Sequence, residues 1–217
     1  MEDYTKAIYA LAHRLEGPVP TSALAERLAV APSSVTAMLK RLDEAGLVSH
    51  EPYRGVELTA DGERVALEVL RHHRLLEAFL AEELGMPWDR VHDEAEVLEH
   101  YISEEFERRI AAALGDPDLD PHGDPIPSAE LDLAADRTVP LAELEPGLRA
   151  TFARVSDSDP AMLRYLSGLG IRPGAEVTVV GAEPFGGPLR VEVGGAEHAL
   201  GIALAGKMRV ELAGASR

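Results

Sequence analysis

The chain has 217 residues, 46% of them hydrophobic, which is enough for one large domain or roughly two to three small ones. It contains no cysteine, so disulfides and thiolate metal sites are both excluded. No apolar run approaches membrane-spanning length, and the first residues, M-E-D-Y-T-K, do not resemble a signal peptide. We therefore expect a cytoplasmic protein with no membrane partner.

The charge of the chain is unevenly distributed. A formal net charge of −17 argues at first against a nucleic-acid partner. Residues 1–75, however, carry nine Lys/Arg and eleven Asp/Glu, so the first third of the chain is almost neutral. Most of the acidity belongs to the remaining residues, and the first third can present a local basic face.

The first part of the chain predicts three helices. Apolar residues recur at helical spacing over residues 2–16. A second, short helix is expected to be capped by Thr21 or Ser22. Pro32 opens a third helix, and Gly46 ends it at the position after a helix where glycine is favoured.

Two short strands and a long helix are expected next. Residues 47–50 and 55–58 predict the strands, which are joined through a turn. Thr59 begins the long helix, which extends toward Leu80. Three helices followed by a two-stranded hairpin are the pattern of a winged helix-turn-helix domain, in which the third helix enters the DNA major groove.

The third helix and the turn between the strands carry the candidate DNA-binding residues. Small hydroxyl and methyl groups suit close approach to a major-groove edge, while Lys and Arg suit phosphates. The alternative is that the cations are ordinary exposed helix residues. The candidates are Ser33, Ser34, Thr36, Ala37, Lys40, Arg41 and, in the turn, Arg54.

Possible metal ligands recur at helical spacing in the middle of the chain. In V-H-D-E-A-E-V-L-E-H, which covers residues 91–100, four of them stand at i, i+4, i+7 and i+8, on one helix face. A second pair stands at i, i+4 on the preceding helix, and Asp3 lies near the N-terminus. Together they offer nitrogen and oxygen donors for one or two divalent cations. These residues are His92, Glu96, Glu99 and His100, then His73 and Glu77.

A solvated polar face is the alternative interpretation of such a stripe. Apolar side chains stand beside the ligand candidates on the same helix, however, and they argue against full solvation. These apolar residues are Val91, Ala95, Val97 and Leu98.

Residues 115–127, G-D-P-D-L-D-P-H-G-D-P-I-P, predict a connection rather than a helix, because proline and glycine interrupt the segment repeatedly. The aspartates do not have the spacing of an EF-hand calcium loop. We expect a linker, with His122 an ordinary loop histidine.

After about residue 138 the pattern predicts a small β-barrel without a catalytic motif. One helix, residues 160–169, interrupts the strands. The expected strands cover residues 139–141, 150–155, 176–180, 189–193 and 207–212.

Several strings of residues in this order resemble the diphtheria toxin repressor family of metal-dependent transcriptional regulators, which includes iron-dependent and manganese transport regulators. The strings are M-E-D-Y, A-P-S-S-V-T-A-M-L-K-R-L, Y-R-G-V-E-L-T-A-D-G, R-H-H-R-L-L-E, G-M-P-W-D-R-V-H-D-E-A-E-V-L-E-H and H-G-D-P-I-P.

The resemblance implies a mainly α protein with a small β part, in three domains. Residues 1–72 would form a winged helix-turn-helix that binds DNA. Residues 73–137 would form a helical dimerisation and metal-binding domain with a Pro-rich linker. Residues 138–217 would form a small β-barrel resembling Src-homology-3 domains.

The resemblance also implies two metal sites per chain. The primary-site positions fall on Asp3, Glu96, Glu99 and His100, and the ancillary-site positions fall on His73, Glu77 and His92. Manganese-type members have Asp and Glu where iron-type members have Met and Cys. The all-oxygen and imidazole donor set therefore favours Mn(II), with Fe(II) as the alternative.

Two departures from the family pattern concern individual ligands. A glutamate of manganese-type members, one turn after Asp3, is replaced by Lys6. The two barrel ligands of iron-type members are replaced by Arg154, which cannot ligate, and Asp157, which can. Asp159 is a neighbouring candidate, and the alternative role for Asp157 is to cap the following helix.

We therefore expect a homodimeric, metal-dependent regulator of manganese, and possibly iron, homeostasis that binds a palindromic double-stranded operator. Without metal the clustered carboxylates would repel one another, and metal would select the dimer whose recognition helices are about 34 Å apart. The alternatives are an Fe(II)-dependent repressor of the same architecture, a regulator with an organic effector, and a di-metal enzyme. E-V-L-E-H matches neither the Glu-x-x-His pair of ferritin-like proteins nor a zincin motif, so neither catalysis nor a small organic substrate is expected.

Overall fold

The computed structural model describes residues 1–15, 17–51 and 54–212. The chain forms two compact units. The first contains residues 1–72 and 127–132, and the second contains residues 73–126 and those from 133 onward.

The first unit contains the predicted winged helix-turn-helix. Its core is apolar, with Ile8, Leu24, Leu39 and Val56 almost fully buried. The two strands pair antiparallel and form the wing. The elements are α1 (Glu2–Leu15), α2 (Thr21–Arg27), α3 (Pro32–Glu44), β1 (Val48–Glu51), β2 (Gly55–Leu58) and the first half of α4 (Ala60–Glu82).

The caps of α2 and α3 were predicted with different success. The helix α2 is preceded by Pro20, whose extended backbone supplies the cap position, so neither Thr21 nor Ser22 caps it. That prediction was wrong because Thr21 is already the first helical residue. Gly46 has φ +75 directly after α3, and Leu47 donates its amide to Leu42 O at 2.9 Å. This is the glycine-dependent helix end that the sequence predicts.

The second unit begins with helices that pack around a small apolar core. Leu75 and Leu76 of α4 contact this core, together with Ala95, Ile110 and Ile126. The helices are the second half of α4, α5 (Val91–Leu98) and α6 (Glu104–Ala113).

A β-rich part, here called the barrel domain (residues 139–212), completes the second unit. Its strands form one six-stranded sheet in the order β3-β8-β4-β5-β6-β7, with antiparallel neighbours. Trp88, between α4 and α5, belongs to the core of this domain. The elements are β3 (Val139–Pro140), a 3-10 turn (Leu141–Glu143), β4 (Arg149–Val155), α7 (Pro160–Gly168), β5 (Glu176–Ala182), β6 (Leu189–Val193), β7 (Ala196–Leu200), α8 (Ile202–Lys207) and β8 (Met208–Leu212).

A strand and an α-helix of the barrel domain were not predicted, and Leu141, expected in the first strand, instead begins the 3-10 turn. The edge strand β7 follows a tight turn in which Gly194 and Gly195 both have positive φ. Its sequence, A-E-H-A-L, lacks the β-branched and aromatic residues that mark strands. The helix α8 is only six residues long, so its period is not visible, and Lys207 ends it instead of beginning the last strand.

Within the described part of the chain, no helix is both long and apolar enough to cross a membrane.

Candidate metal centre

Two helices of the second unit bring the predicted ancillary ligands together. His73 and Glu77 lie one turn apart on α4 and are almost fully buried. Their Nε2 and Oε1 atoms are 3.1 Å apart. His92, at the start of α5, places Nδ1 3.3 Å from Glu77 Oε1 and 3.2 Å from His73 Nε2. The i, i+4 spacing on α4 therefore places the side chains of His73 and Glu77 side by side on one face of the helix, as the sequence predicts.

The barrel domain contributes Asp157 to the same cluster. Its Oδ2 atom lies 3.0 Å from His92 Nδ1. One donor atom from each of His73, Glu77, His92 and Asp157 lies within 4.8 Å of the others. Asp159, by contrast, caps α7 by accepting hydrogen bonds from the amides of residues 161 and 162. The structure thus gives the capping role to Asp159 and leaves Asp157 facing the cluster.

His122 was predicted to be an ordinary loop histidine, and its position contradicts that prediction. The residue is fully buried, and its Nδ1 atom lies 3.5 Å from Glu77 Oε2. Its Nε2 atom donates to Trp88 O at 2.7 Å. The cause is a tight turn in which Asp120 Oδ1 accepts the amides of His122 and Asp124 and directs the imidazole inward.

Two atoms of the cluster are buried and lack a hydrogen-bond partner among the described residues. They are Glu77 Oε2 and His122 Nδ1, which face each other. Buried polar atoms without partners are costly, and a cation coordinated by both would satisfy them. Glu77, Asp120 and His122 also place donor atoms within 4.8 Å of one another. The donor set, carboxylate oxygen and imidazole nitrogen without sulfur, fits a divalent ion of the first transition row.

The charges of the cluster favour positive charge at the positions where a cation would bind. The hydrogen bond that His92 donates to Asp157, helped by Glu77, raises the pKa of His92 to about 10. Burial lowers the pKa of His122, but its interaction with Glu77 outweighs burial and raises the pKa to about 9. Burial raises the pKa of Glu77, yet its three histidine neighbours hold it well below the usual value. Burial, followed by the charge of Glu77, raises the pKa of Asp120 to about 8.

A second group of donors lies on the other side of His73. Its Nδ1 atom is 2.6 Å from Glu99 Oε2 and 3.8 Å from Glu96 Oε1. Glu99 is buried, and its Oε1 lies 3.6 Å from His100 Nε2. His73 therefore faces a carboxylate with each ring nitrogen, Glu77 on one side and Glu99 on the other.

The predicted stripe of ligands is only partly helical. The helix α5 ends at Leu98, Glu99 caps it with helical backbone angles and an amide that donates to Ala95 O at 2.9 Å, and His100 follows in a turn. Asp3 lies in the first turn of α1, in the first unit. Its participation in a site with Glu99 and His100 stays a prediction.

The predicted DNA-binding side chains are all exposed in the first unit. The opposite face of α3 is buried through Val35, Leu39 and Leu42. On the exposed face, Lys40 lies 3.8 Å from Glu44, a pairing in solvent that leaves the lysine available to another anion. The exposed candidates are Ser33, Ser34, Thr36, Ala37, Lys40 and Arg41 on α3, and Arg54 in the wing.

A winged helix joined to a buried carboxylate and imidazole cluster defines a metal-responsive DNA-binding protein. Three family models agree with this class. The iron-dependent repressor N-terminal DNA-binding domain matches residues 1–56. The iron-dependent repressor metal binding and dimerisation domain matches residues 59–128, and the FeoA domain matches residues 139–212.

Similar proteins extend the match over most of the chain. The iron-dependent repressor IdeR of Mycobacterium leprae is 37% identical over 193 residues, covering 82% of each chain. The diphtheria toxin repressor of Corynebacterium efficiens is 36% identical over 190 residues, again covering 82% of each chain. The solved structure of a manganese-dependent transcriptional repressor in complex with manganese has a TM-score of 0.89 and 41% identity, covering 98% of this chain and 99% of that chain.

The chain therefore belongs to the iron-dependent repressor and diphtheria toxin repressor family. It is a metal-dependent, DNA-binding transcriptional regulator and not an enzyme.

Proposed function

We propose that this chain is a Mn(II)-activated repressor, with Fe(II) as the alternative effector. The observation that carries the proposal is the cluster of His73, Glu77, His92, His122 and Asp157, the first two and His122 buried, whose donors are nitrogen and oxygen without sulfur. Carboxylate oxygens suit Mn(II), imidazole nitrogens also suit Fe(II), and the lack of sulfur disfavours softer metals such as Cu(I). The similar structure solved with manganese supports the same choice.

We propose two ions per chain, each with its own ligands. The ancillary site uses His73, Glu77, His92 and Asp157, with His122 added from the loop. The primary site uses Asp3, Glu96, Glu99 and His100, of which Asp3 rests on the family resemblance. Lys6, one turn after Asp3, leaves the primary site with one carboxylate fewer than the manganese-type pattern.

His73 provides a physical connection between the two proposed sites. A histidine that ligates through one nitrogen commonly donates its other N–H to a carboxylate, which fixes the ring orientation. Here Nδ1 faces Glu99 at 2.6 Å while Nε2 faces Glu77 at 3.1 Å. When bound, a divalent cation supplies positive charge to carboxylates that otherwise repel one another. The orientation of His73 at one site therefore depends on the position of Glu99 at the other.

The proposed DNA complex is a homodimer on a palindromic operator. Two copies of α3 would enter successive major grooves, about 34 Å apart. In each copy the small side chains of α3 approach base edges, while Lys40, Arg41 and Arg54 contact phosphates. The boundaries that we propose for the three domains lie after residues 72 and 137.

Fluorescence anisotropy of labelled DNA from upstream of the protein's own gene tests this function. We expect chelated protein to bind weakly and Mn(II) to produce saturable binding, with Fe(II), titrated anaerobically, as the comparison. The metal that activates at the lower concentration is the effector. Equal operator affinity in chelator and in either metal would contradict metal activation.

An exposed apolar face marks where the second copy would pack. It follows the end of α5 into the start of α6, where four large apolar or aromatic residues are exposed. Patches of this kind usually mark interaction sites. The exposed fractions are 61% for Val97, 37% for Leu98, 82% for Tyr101 and 46% for Phe106.

Replacing Tyr101 by aspartate is expected to weaken the dimer by about 100-fold or more, because aromatic anchors dominate interface energies and a carboxylate is costly there. Sedimentation velocity at a series of concentrations, with saturating Mn(II), measures the change. Leu84→Asp is the matched control, since Leu84 is 61% exposed but lies outside this face. Equal dimerisation of the Tyr101 and Leu84 variants would place the interface elsewhere.

A further inference from the structure

The loop that carries His122 lies directly against strand β4 of the barrel domain. A Cβ atom on Gly123, which has φ +88, would lie 1.9 Å from Ala153 O. Val155 donates its amide to His122 O at 3.0 Å. Only glycine permits this backbone approach, so loop and strand meet in direct main-chain contact.

A bulge in β4 directs Arg154 toward this loop. The pairing of β4 with β8 shifts register between Phe152, opposite Val210, and Arg154, opposite Arg209. An extra residue at such a point re-aims the neighbouring side chain. The guanidinium of Arg154 reaches Asp124 Oδ1 at 2.7 Å and Asp136 Oδ2 at 2.5 Å.

Both partners of Arg154 are themselves held by other groups. Asp124 lies 3.8 Å from Arg74 Nη2 of α4. Asp136 accepts hydrogen bonds from the amide and hydroxyl of Thr138, and its Oδ2 lies 3.5 Å from Arg209 Nη2. Arg154 is therefore the cation in the middle of a network that joins α4, the loop and the barrel domain.

Two ligand candidates of the ancillary site lie close in sequence to the members of this network. His122 precedes Asp124 by two residues, and Asp157 follows Arg154 by three. Both face the donors of α4 and α5, with His122 Nδ1 3.5 Å from Glu77 and Asp157 Oδ2 3.0 Å from His92. A guanidinium can join two carboxylates at once because its planar fork presents several donors.

We propose that Arg154 is a positioning residue, a permanent cation that fixes the His122 loop to the barrel domain before any metal binds. The barrel domain and the loop then remain docked without a bound ion, and together they present Asp157 and His122 as an assembled half of the ancillary site. Metal completes this site without having to recruit the barrel domain. The inference rests on the ancillary site proposed above.

Hydrogen exchange of the chelated protein, combined with Mn(II) titration calorimetry, tests the role of Arg154. In Arg154→Gln we expect amides of residues 120–126 and of Val155 to exchange about 10-fold faster than in the wild type, because the loop opens locally. We also expect Mn(II) affinity at the ancillary site to fall by about 10-fold, as for other groups that orient ligands. Arg154→Lys should restore part of both effects, since an ammonium can pair with one carboxylate at a time.

Arg190→Gln is the matched control. Arg190 belongs to β6 of the same domain and pairs with Glu183 at 3.3 Å and Glu197 at 3.1 Å, far along the chain from the loop. Its loss should leave exchange of residues 120–126 and Mn(II) affinity unchanged.

The outcomes test the role of Arg154 and the existence of the ancillary site separately. Equal exchange in Arg154→Gln and Arg190→Gln overturns the proposal, and so does unchanged Mn(II) affinity beside faster exchange. If the wild type binds no ion at this cluster, the proposed ancillary site is wrong. Exchange in chelator then still decides whether Arg154 fixes the loop, because that measurement needs no metal.

Discussion

Replacing His100 by alanine is expected to abolish metal-dependent operator binding while leaving the fold intact. His100 belongs to the proposed primary site and is an exposed residue in a turn, so its replacement should not disturb the core. Coupling between an effector and a second ligand is typically about 1–3 kcal/mol. Operator affinity in saturating Mn(II) should therefore fall by up to about 100-fold, to the level of chelated wild type.

Glu99→Gln tests the same site through a buried ligand. The amide keeps the size of the side chain and can still contact His73 Nδ1, which is 2.6 Å from the native carboxylate. It removes the charge that a cation requires, so the same loss of metal-dependent binding is expected. Anisotropy with operator DNA measures both variants, and circular dichroism checks their folding.

The matched control for these two variants is Glu94→Gln. Glu94 lies on α5 but is exposed and outside both donor groups. Its operator binding should follow the wild type at every Mn(II) concentration. Wild-type operator affinity in folded His100→Ala or Glu99→Gln would remove the primary site from the mechanism.

The parts of the site that lie on helices could be predicted from the sequence because a helix has a fixed period. The i, i+4 spacing of His73 and Glu77 places both side chains on one face whatever surrounds them. Glu99 still follows this period, because its backbone is helical and its amide donates to Ala95 O at 2.9 Å. The argument ends at His100, which lies in the turn that follows.

The contribution of the loop could not be predicted because it depends on contacts remote in sequence. His122 enters the cluster through a turn around Asp120 and through Gly123, which meets Ala153 of β4. Prolines and glycines in this segment exclude a helix but do not indicate which side chains point inward. Arg154 was correctly excluded as a ligand by its charge, but the bulge that directs it to Asp124 has no local signature.

The winged helix was predictable for a different reason. Each of its elements is short and has a local signal, such as Pro32 at the start of α3 and Gly46 after its end. Its core is formed within the first unit by side chains such as Ile8 and Leu39. Local preference and tertiary packing therefore agree there, which is the condition under which sequence patterns are most reliable.

Replacing Glu77 by glutamine is expected to eliminate binding at the ancillary site. Glu77 is buried, and its carboxylate faces His73, His92 and His122 together. An amide is a poor ligand for a divalent cation in place of a carboxylate, because it carries no negative charge to offset that of the ion. An ion present at about 100 times its Kd stabilises a folded protein by about 2.7 kcal/mol. The wild type should therefore gain roughly 5–10 °C in Tm from this site, and Glu77→Gln should lose that gain.

The fluorescence of the single tryptophan of the chain provides a direct measurement of metal binding at the ancillary site. Trp88 stacks on His122 with ring centroids 5.8 Å apart, so charge placed on that imidazole should change its emission. Titration with Mn(II) is expected to change Trp88 fluorescence in the wild type and in Glu82→Gln, an exposed control on the same helix, but not in Glu77→Gln. A wild-type fluorescence change in Glu77→Gln would show that Glu77 is not a ligand. Because Trp88 also lies in the barrel core, the same change would then indicate movement of the barrel domain.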